Sequence, residues 1–162
     1  MNLKFKKLQK LNIDNKNKII KIIKKCSDKG LKIFGFGASV GTTTLVYDFG
    51  INNKIKYIFD NERRRFDLFM PGTQIKVLNP NNLKKLNADY IIIFAWRYAQ
   101  QIISRNKKLF SKKTKFIVPL PKYKILKWKK YRLLLGGTEE LEKVFSLTLQ
   151  KEVIKYFVYQ EQ

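Results

Sequence analysis

The stretch 33-IFGFGASVGTTTLVYDFG-50 decides the fold. A short apolar run meets Gly35, Gly37 and Gly41, passes through small and hydroxyl residues, and continues with apolar residues at helical spacing. That order reads as strand, glycine loop, helix. In an open α/β sheet such a loop sits at the carboxyl ends of the strands, where glycines let the backbone approach a pyrophosphate and the free amides of the helix carry partial positive charge. Ser39, Thr42 and Thr43 add hydroxyl donors.

Working outward, 13-IDNKNKIIKIIKKCSDKG-30 has the isoleucine spacing of an amphipathic helix stopped by Gly30. The first strand is 31–37 and its helix 42–50. A second strand, 55-IKYIFD-60, ends on an acid, and 61-NERRRFDLFMPGT-73 is a long connection with a Pro-Gly turn, either a functional loop or an excursion. A short extended piece at 74–78 leads through Asn and Pro into a helix at 82–86. The run 89-DYIIIFAW-96, the most apolar in the chain, is expected as a central strand covered on both faces. A helix at 97–110 and a strand at 115–120 follow. Strands alternating with helices predict an α/β fold: a Rossmann-like open parallel sheet with helices on both faces. This domain occupies 1–124. The remainder, 125–162, continues a basic aromatic segment that starts at 122 and adds a C-terminal helical extension, capped by Thr138 and followed by Glu139, Glu140 and Glu142.

The loop spacing is G-x-G-x-x-x-G, not the tighter dinucleotide fingerprint, and no Gly-Lys-Ser/Thr ending makes it a triphosphatase loop. Asp60, at the end of the second strand, stands where an acid would accept from a ribose hydroxyl. Together these point to a nucleotide or nucleotide-sugar. The competing reading is that the glycines only permit close helix–strand packing and that Asp60 caps a turn.

No set of residues for chemistry emerges. Histidine is absent, which removes the side chain best tuned to proton transfer at neutral pH. Asp60, Glu62 and Asp67 are interleaved with Arg63, Arg64 and Arg65, which favours an ion-pair loop over a catalytic carboxylate pair. Tyr98 is a candidate proton donor, though a helix-face aromatic usually packs in a core. With one cysteine, Cys26, there is no intramolecular disulfide and no metal cluster, and a reducing, cytoplasmic setting is expected. The longest apolar run is far short of the roughly 20 residues of a membrane-spanning helix.

Lys+Arg number 35 against 12 Asp+Glu, a net charge of +23. Such a balance suits nucleic acid, an acidic surface or a phosphorylated ligand. The lysines are scattered along the chain and accompany abundant Asn and Ile, as a coding bias would give, and this weighs against a dedicated nucleic-acid reader.

The motifs in order, G-F-G-A-S-V-G-T-T-T-L, Y-I-F-D-N, P-G-T-Q-I-K-V-L, A-D-Y-I-I-I-F-A-W-R-Y-A and K-F-I-V-P-L-P, resemble the C-terminal domain of sugar C-methyltransferases over about residues 14–124. Those enzymes methylate carbon on nucleotide-linked deoxysugars, with a zinc-binding segment and an S-adenosylmethionine domain preceding the Rossmann-like one. The resemblance implies a nucleotide-sugar ligand held by Gly35, Gly37, Ala38, Ser39, Gly41, Thr42 and Thr43, by Asp60 and Asn61, and by Trp96 and Arg97. Many members carry lysine within the loop, A-S-A-K-G, where this chain has Ala38-Ser39-Val40-Gly41-Thr42. It implies no bound cofactor of the chain's own, with S-adenosylmethionine brought by a separate methyltransferase subunit in deoxysugar or polysaccharide biosynthesis. Two alternatives stand beside it. One is an NAD(P)-binding protein using the loop, Asp60 and Tyr98. The other is a scaffold or nucleic-acid module working through Tyr123, Trp128 and Tyr131 among lysines. The C-terminal helix serves either as a homo-oligomer contact or as a cover for the chain's own surface.

Overall fold

In the computed structural model residues 3–127 are described, with side chains from Lys6 onward; the expected C-terminal helix lies outside the described residues. The first helix, α1 (Leu3–Asp28), begins ten residues earlier than its isoleucine pattern suggested, because 3-LKFKKLQKLN-12 is mostly Leu, Lys and Gln, which are strong helix formers. Its buried stripe is Asn15, Ile19, Ile22, Ile23 and Cys26. The helix closes where Leu31 N–H reaches Cys26 O at 2.8 Å and Gly30 N–H reaches Ser27 O at 3.2 Å, a paired closure of the last turn.

Strand β1 (Ile33–Phe36) leads through the glycine loop into α2 (Val40–Asp48). That helix ends in the same way: Ile51 N–H bonds Val46 O at 3.0 Å across Gly50, whose φ of +64° suits glycine. The chain continues through β2 (Tyr57–Phe59), β3 (Lys76–Leu78), the single-turn α3 (Leu83–Leu86), β4 (Tyr90–Ile93), α4 (Ala99–Arg105), β5 (Lys115–Val118) and β6 (Lys124–Lys127). The sheet order is β3-β2-β1-β4-β5-β6, with parallel pairing from β3 through β5. Residues up to Leu126 form one compact unit.

Both faces of the sheet are buried, and the alternation is regular. Ile58, Val77, Ile92, Phe94 and Ile117 join α1 and α2 in one cluster. On the opposite parity Phe34, Phe36, Phe59, Ile91, Ile93 and Phe116 are buried as well. Phe110, in the turn after α4, meets Phe116 edge-on at 4.8 Å and Phe36 at 6.4 Å, which brings the β4–β5 connection to this second face. Every residue of β4 is buried, as the apolar run required of a central strand.

One expected helix also differs. The helix expected over 97–110 is a 3₁₀ turn, Trp96–Tyr98, followed by the short α4. The connection 61–73 is an excursion that laces β3: Asp67 N–H bonds Val77 O at 2.9 Å, Val77 N–H bonds Leu68 O at 2.8 Å and Met70 N–H bonds Ile75 O at 2.9 Å. This antiparallel ribbon covers an edge that would otherwise present unpaired backbone groups.

Asn15 is a buried polar residue in an otherwise apolar stripe, and the reason is specific. Its amide nitrogen donates to Pro121 O at 2.8 Å and its oxygen accepts from Tyr123 N–H at 3.0 Å, clasping α1 to the segment after β5. Replacing it with leucine removes both partners of that backbone. Asn15→Leu is expected to lower the unfolding free energy by about 1–3 kcal/mol, read from urea denaturation.

Beside the clasp, burial and then the negative Asp89 push the Cys26 thiol above its ordinary 9.0, while burial and then Tyr90 push the Tyr123 phenol above its ordinary 10.0. The folded state therefore holds these protons more tightly than the unfolded chain. Their contribution to stability is complete below about pH 9 and is lost as pH rises through the raised folded values. The urea midpoint should be level between about pH 7 and 8.5 and fall above 9. Cys26→Ala should shallow that fall.

Candidate functional site

The strand order turns at β1 and β4, whose outgoing connections run to opposite faces and leave a crevice at their carboxyl ends. Three segments meet there: the glycine loop, the residues after β2, and the turn after β4.

Gly37 makes that meeting possible. It has a φ of +94°, and a Cβ built on it would lie 2.6 Å from Ala95 Cβ and 3.0 Å from Ala95 N, so both conformation and space require glycine. Its N–H bonds Phe59 O at 2.7 Å, while Phe94 N–H bonds Phe36 O at 2.9 Å. The ends of β2, β1 and β4 are locked together, and Ala95 leads directly into Trp96 and Arg97. The Arg97 guanidinium lies 5.0 Å from the Trp96 ring centre, a stacked pair at the rim.

Ser39 caps α2 through a box in which its side chain accepts from Thr42 N–H and the Thr42 side chain accepts from Ser39 N–H. Thr42 is buried, and its hydroxyl proton is committed to Gly37 O at 2.6 Å. Because Thr42 has then only acceptor capacity left, the 3.1 Å contact between the two hydroxyls is donated by Ser39. Thr42 thus holds the loop's shape from inside, while Ser39 and Gly41 are exposed and Thr43 is half-buried.

Asp60 is the second anchor. Its Oδ2 accepts from Ala38 N–H at 2.6 Å and from Arg65 Nη1 at 3.0 Å, and its Oδ1 accepts from Glu62 N–H at 2.8 Å. The carboxylate side chain is 11% exposed and the Arg65 side chain 45%. One acid therefore fixes the glycine loop, closes the turn after β2 and holds a cation beside both. Asn61 is exposed next to it. Sequence reasoning treated Arg63, Arg64 and Arg65 as one ion-pair loop. The structure bears out an ion pair in that loop and names the pair the sequence left open, Arg65 with the strand-ending acid Asp60.

The three glycines have different physical explanations. Gly35 lies inside β1 between Ile58 and Ile92, and a Cβ there would meet Phe94 Cε2 at 2.8 Å and Ile58 Cγ1 at 2.9 Å, so sheet packing accounts for it. Gly37 is explained by its turn. Gly41 has no internal explanation: it sits in the first turn of α2, where a Cβ would meet only Ser39 Oγ at 3.9 Å. Its N–H and that of Val40 have no partner among the described residues. Tyr98 is exposed on its 3₁₀ turn rather than packed in the core.

Among the described residues no group of His, Cys, Asp or Glu could hold a metal, and a chain with one cysteine and no histidine does not fit a zinc site of the usual ligands. No helix among them is long and apolar enough to cross a membrane. An open cleft of about 430 Å³ lies at the opposite, amino ends of the strands, between Leu31, Asp89, Tyr90, Lys113 and Lys115, away from the crevice.

The parallel sheet and its loop at the switch point define a Rossmann-like α/β domain. The chain belongs to the family described as the C-methyltransferase C-terminal domain, which it matches over residues 3–121. It is also similar to C-methyltransferase NovU of Streptomyces niveus, 26% identical over 98 residues, a stretch covering 60% of this chain and 23% of that protein. The chain thus corresponds to less than a quarter of its relative's length.

Gly35→Ala should cost about 1–3 kcal/mol, because Phe94 and Ile58 must move to admit a methyl group. Gly41→Ala should leave stability unchanged or raise it by up to about 1 kcal/mol, as expected for glycine replaced in a helix turn with open space around it. Paired urea denaturation curves read the contrast.

Proposed function

We propose that this domain holds a nucleotide-linked sugar at the switch-point crevice, for carbon methylation by a methyltransferase portion that carries the S-adenosylmethionine. The observation that carries the reading is Gly41. Glycine in the first turn of a helix is less stable than alanine, and nothing inside the fold requires it here. A bound group approaching the open amides of Val40 and Gly41 would require it, since a side chain there stands in the path of a phosphate.

Membership of the C-methyltransferase C-terminal domain family supports the class of reaction, and the loop chemistry supports the ligand. Ser39 and Thr43 supply hydroxyls, Arg97 on Trp96 forms a flat charged rim, and Ala38, Thr42 and Asp60 hold the frame on which these sit. Asn61 adds an exposed amide beside Asp60. The methyl donor itself would be bound by that methyltransferase portion, and this domain's part is to position the sugar carrier.

Calorimetric titration with dTDP-glucose and UDP-glucose tests the reading. Saturable binding of at least one is expected, and Gly41→Ala should weaken it about tenfold, the loss of one close polar contact, without lowering the melting temperature. A folded protein that takes up neither compound at millimolar concentration would sink the proposal.

A further inference from the structure

We infer that Arg65 is the cation that reads the phosphate groups of the ligand, and that it sets a preference for nucleoside diphosphates over nucleosides at this site; the inference rests on the nucleotide-sugar reading above. Three observations carry it. First, the guanidinium is fixed: Nη1 donates to Asp60 Oδ2 at 3.0 Å, and that carboxylate is buried and held from two further sides by the Ala38 and Glu62 amides. Second, the fixing uses only part of the fork. A guanidinium has five N–H donors, the side chain is 45% exposed, and its other donors have no partner among the described residues. Third, its place is defined, since a single carboxylate oxygen stands between the guanidinium and the amide of the glycine loop.

The chemistry follows from that placement. An arginine free in solvent loses rotamer freedom when it binds an anion, whereas one already docked on a buried acid has lost much of it in folding. The remaining donors suit the oxygens of a phosphate, which arginine meets bidentately. Asp60 is correspondingly occupied: Oδ2 has two donors and Oδ1 one. The place where a strand-ending acid would take a ribose hydroxyl has one acceptor site left, on Oδ1, and a cation beside it, and the group that cation suits is anionic. Arg63 and Arg64 share the 3₁₀ turn, but no ion pair among the described residues anchors them, so the oriented charge is Arg65.

The test is to measure affinities for thymidine, dTMP, dTDP and dTDP-glucose, with uridine, UMP, UDP and UDP-glucose in parallel. The proteins are the unaltered chain, Arg65→Gln, Arg65→Lys and Asp60→Asn, each with its melting temperature. Arg65→Gln is expected to lower affinity for the diphosphates about tenfold, to leave the nucleosides unchanged, and to flatten the dependence of diphosphate binding on salt. Arg65→Lys should keep part of the affinity. Asp60→Asn should also lower it, because one amide oxygen replaces two carboxylate oxygens, so the guanidinium loses the charged anchor that orients it; unchanged diphosphate affinity in Asp60→Asn would overturn the claim that the docked geometry matters. If Arg65→Gln weakens nucleoside and diphosphate equally, the residue only supports the loop and the inference is overturned. No change in either, with dTDP-glucose or UDP-glucose still bound by the unaltered chain, overturns it too and leaves the nucleotide-sugar reading standing. Failure of the unaltered chain to bind any of the series removes both.

Discussion

The Asp60 carboxylate is the joint on which the crevice depends. A buried carboxylate is stable only when its lone pairs are met, and here they are met by groups from three places: Ala38 in the glycine loop, Glu62 in the turn after β2, and Arg65 beyond it. Because each donor satisfies the same charged group, the loop after β1 and the loop after β2 cannot move independently. Removing the acid would leave two amides and a guanidinium without their partner, so the loss would spread through the whole end of the sheet rather than remain at one contact.

That joint works because the strands beneath it are already in register. Gly35 pairs with Ile58 on one side and Ile92 on the other, and the absence of a side chain lets Phe94 lie over it. Ala95 then falls against Gly37. The Trp96–Arg97 pair thereby begins one residue from the point of closest approach, without any direct bond to the loop being required. Packing sets the positions and the hydrogen bonds of Asp60 and Thr42 make them rigid. A site built in this order is preorganised before any ligand arrives, which lowers the cost of binding.

The sheet was legible in the sequence because its signals are local. The all-apolar 90-YIIIF-94, the glycine after β1 and the acid after β2 each fix an element or an end without reference to the rest of the chain. The site was less legible, because what separates Gly35 from Gly41 is distant in sequence. Only the folded chain shows that Phe94 and Ile58 fill the space over the first and that nothing fills the space over the second. Asn15 was hidden for the same reason, since its two partners lie more than a hundred residues away. Helix ends misled in a different way: the lysine-rich start of α1 extends by propensity alone, whereas 97–110 has helical spacing but breaks into a 3₁₀ turn and seven residues of α-helix.

A net charge of +23 complicates any account of anion binding, since a chain so basic attracts phosphate wherever its lysines lie. That attraction is diffuse, and it fades over a Debye length of about 8 Å at physiological salt. On the nucleotide-sugar proposal, selectivity between one phosphorylated molecule and another would have to come from groups whose positions do not relax: the open amides at Val40 and Gly41, and a guanidinium held on a buried acid. The lysine surface can speed the encounter, but it cannot distinguish a diphosphate from any other anion. What the fold holds in place at the carboxyl ends of β1 and β2 is the geometry itself, with Ala38, Glu62 and Arg65 all bound to Asp60.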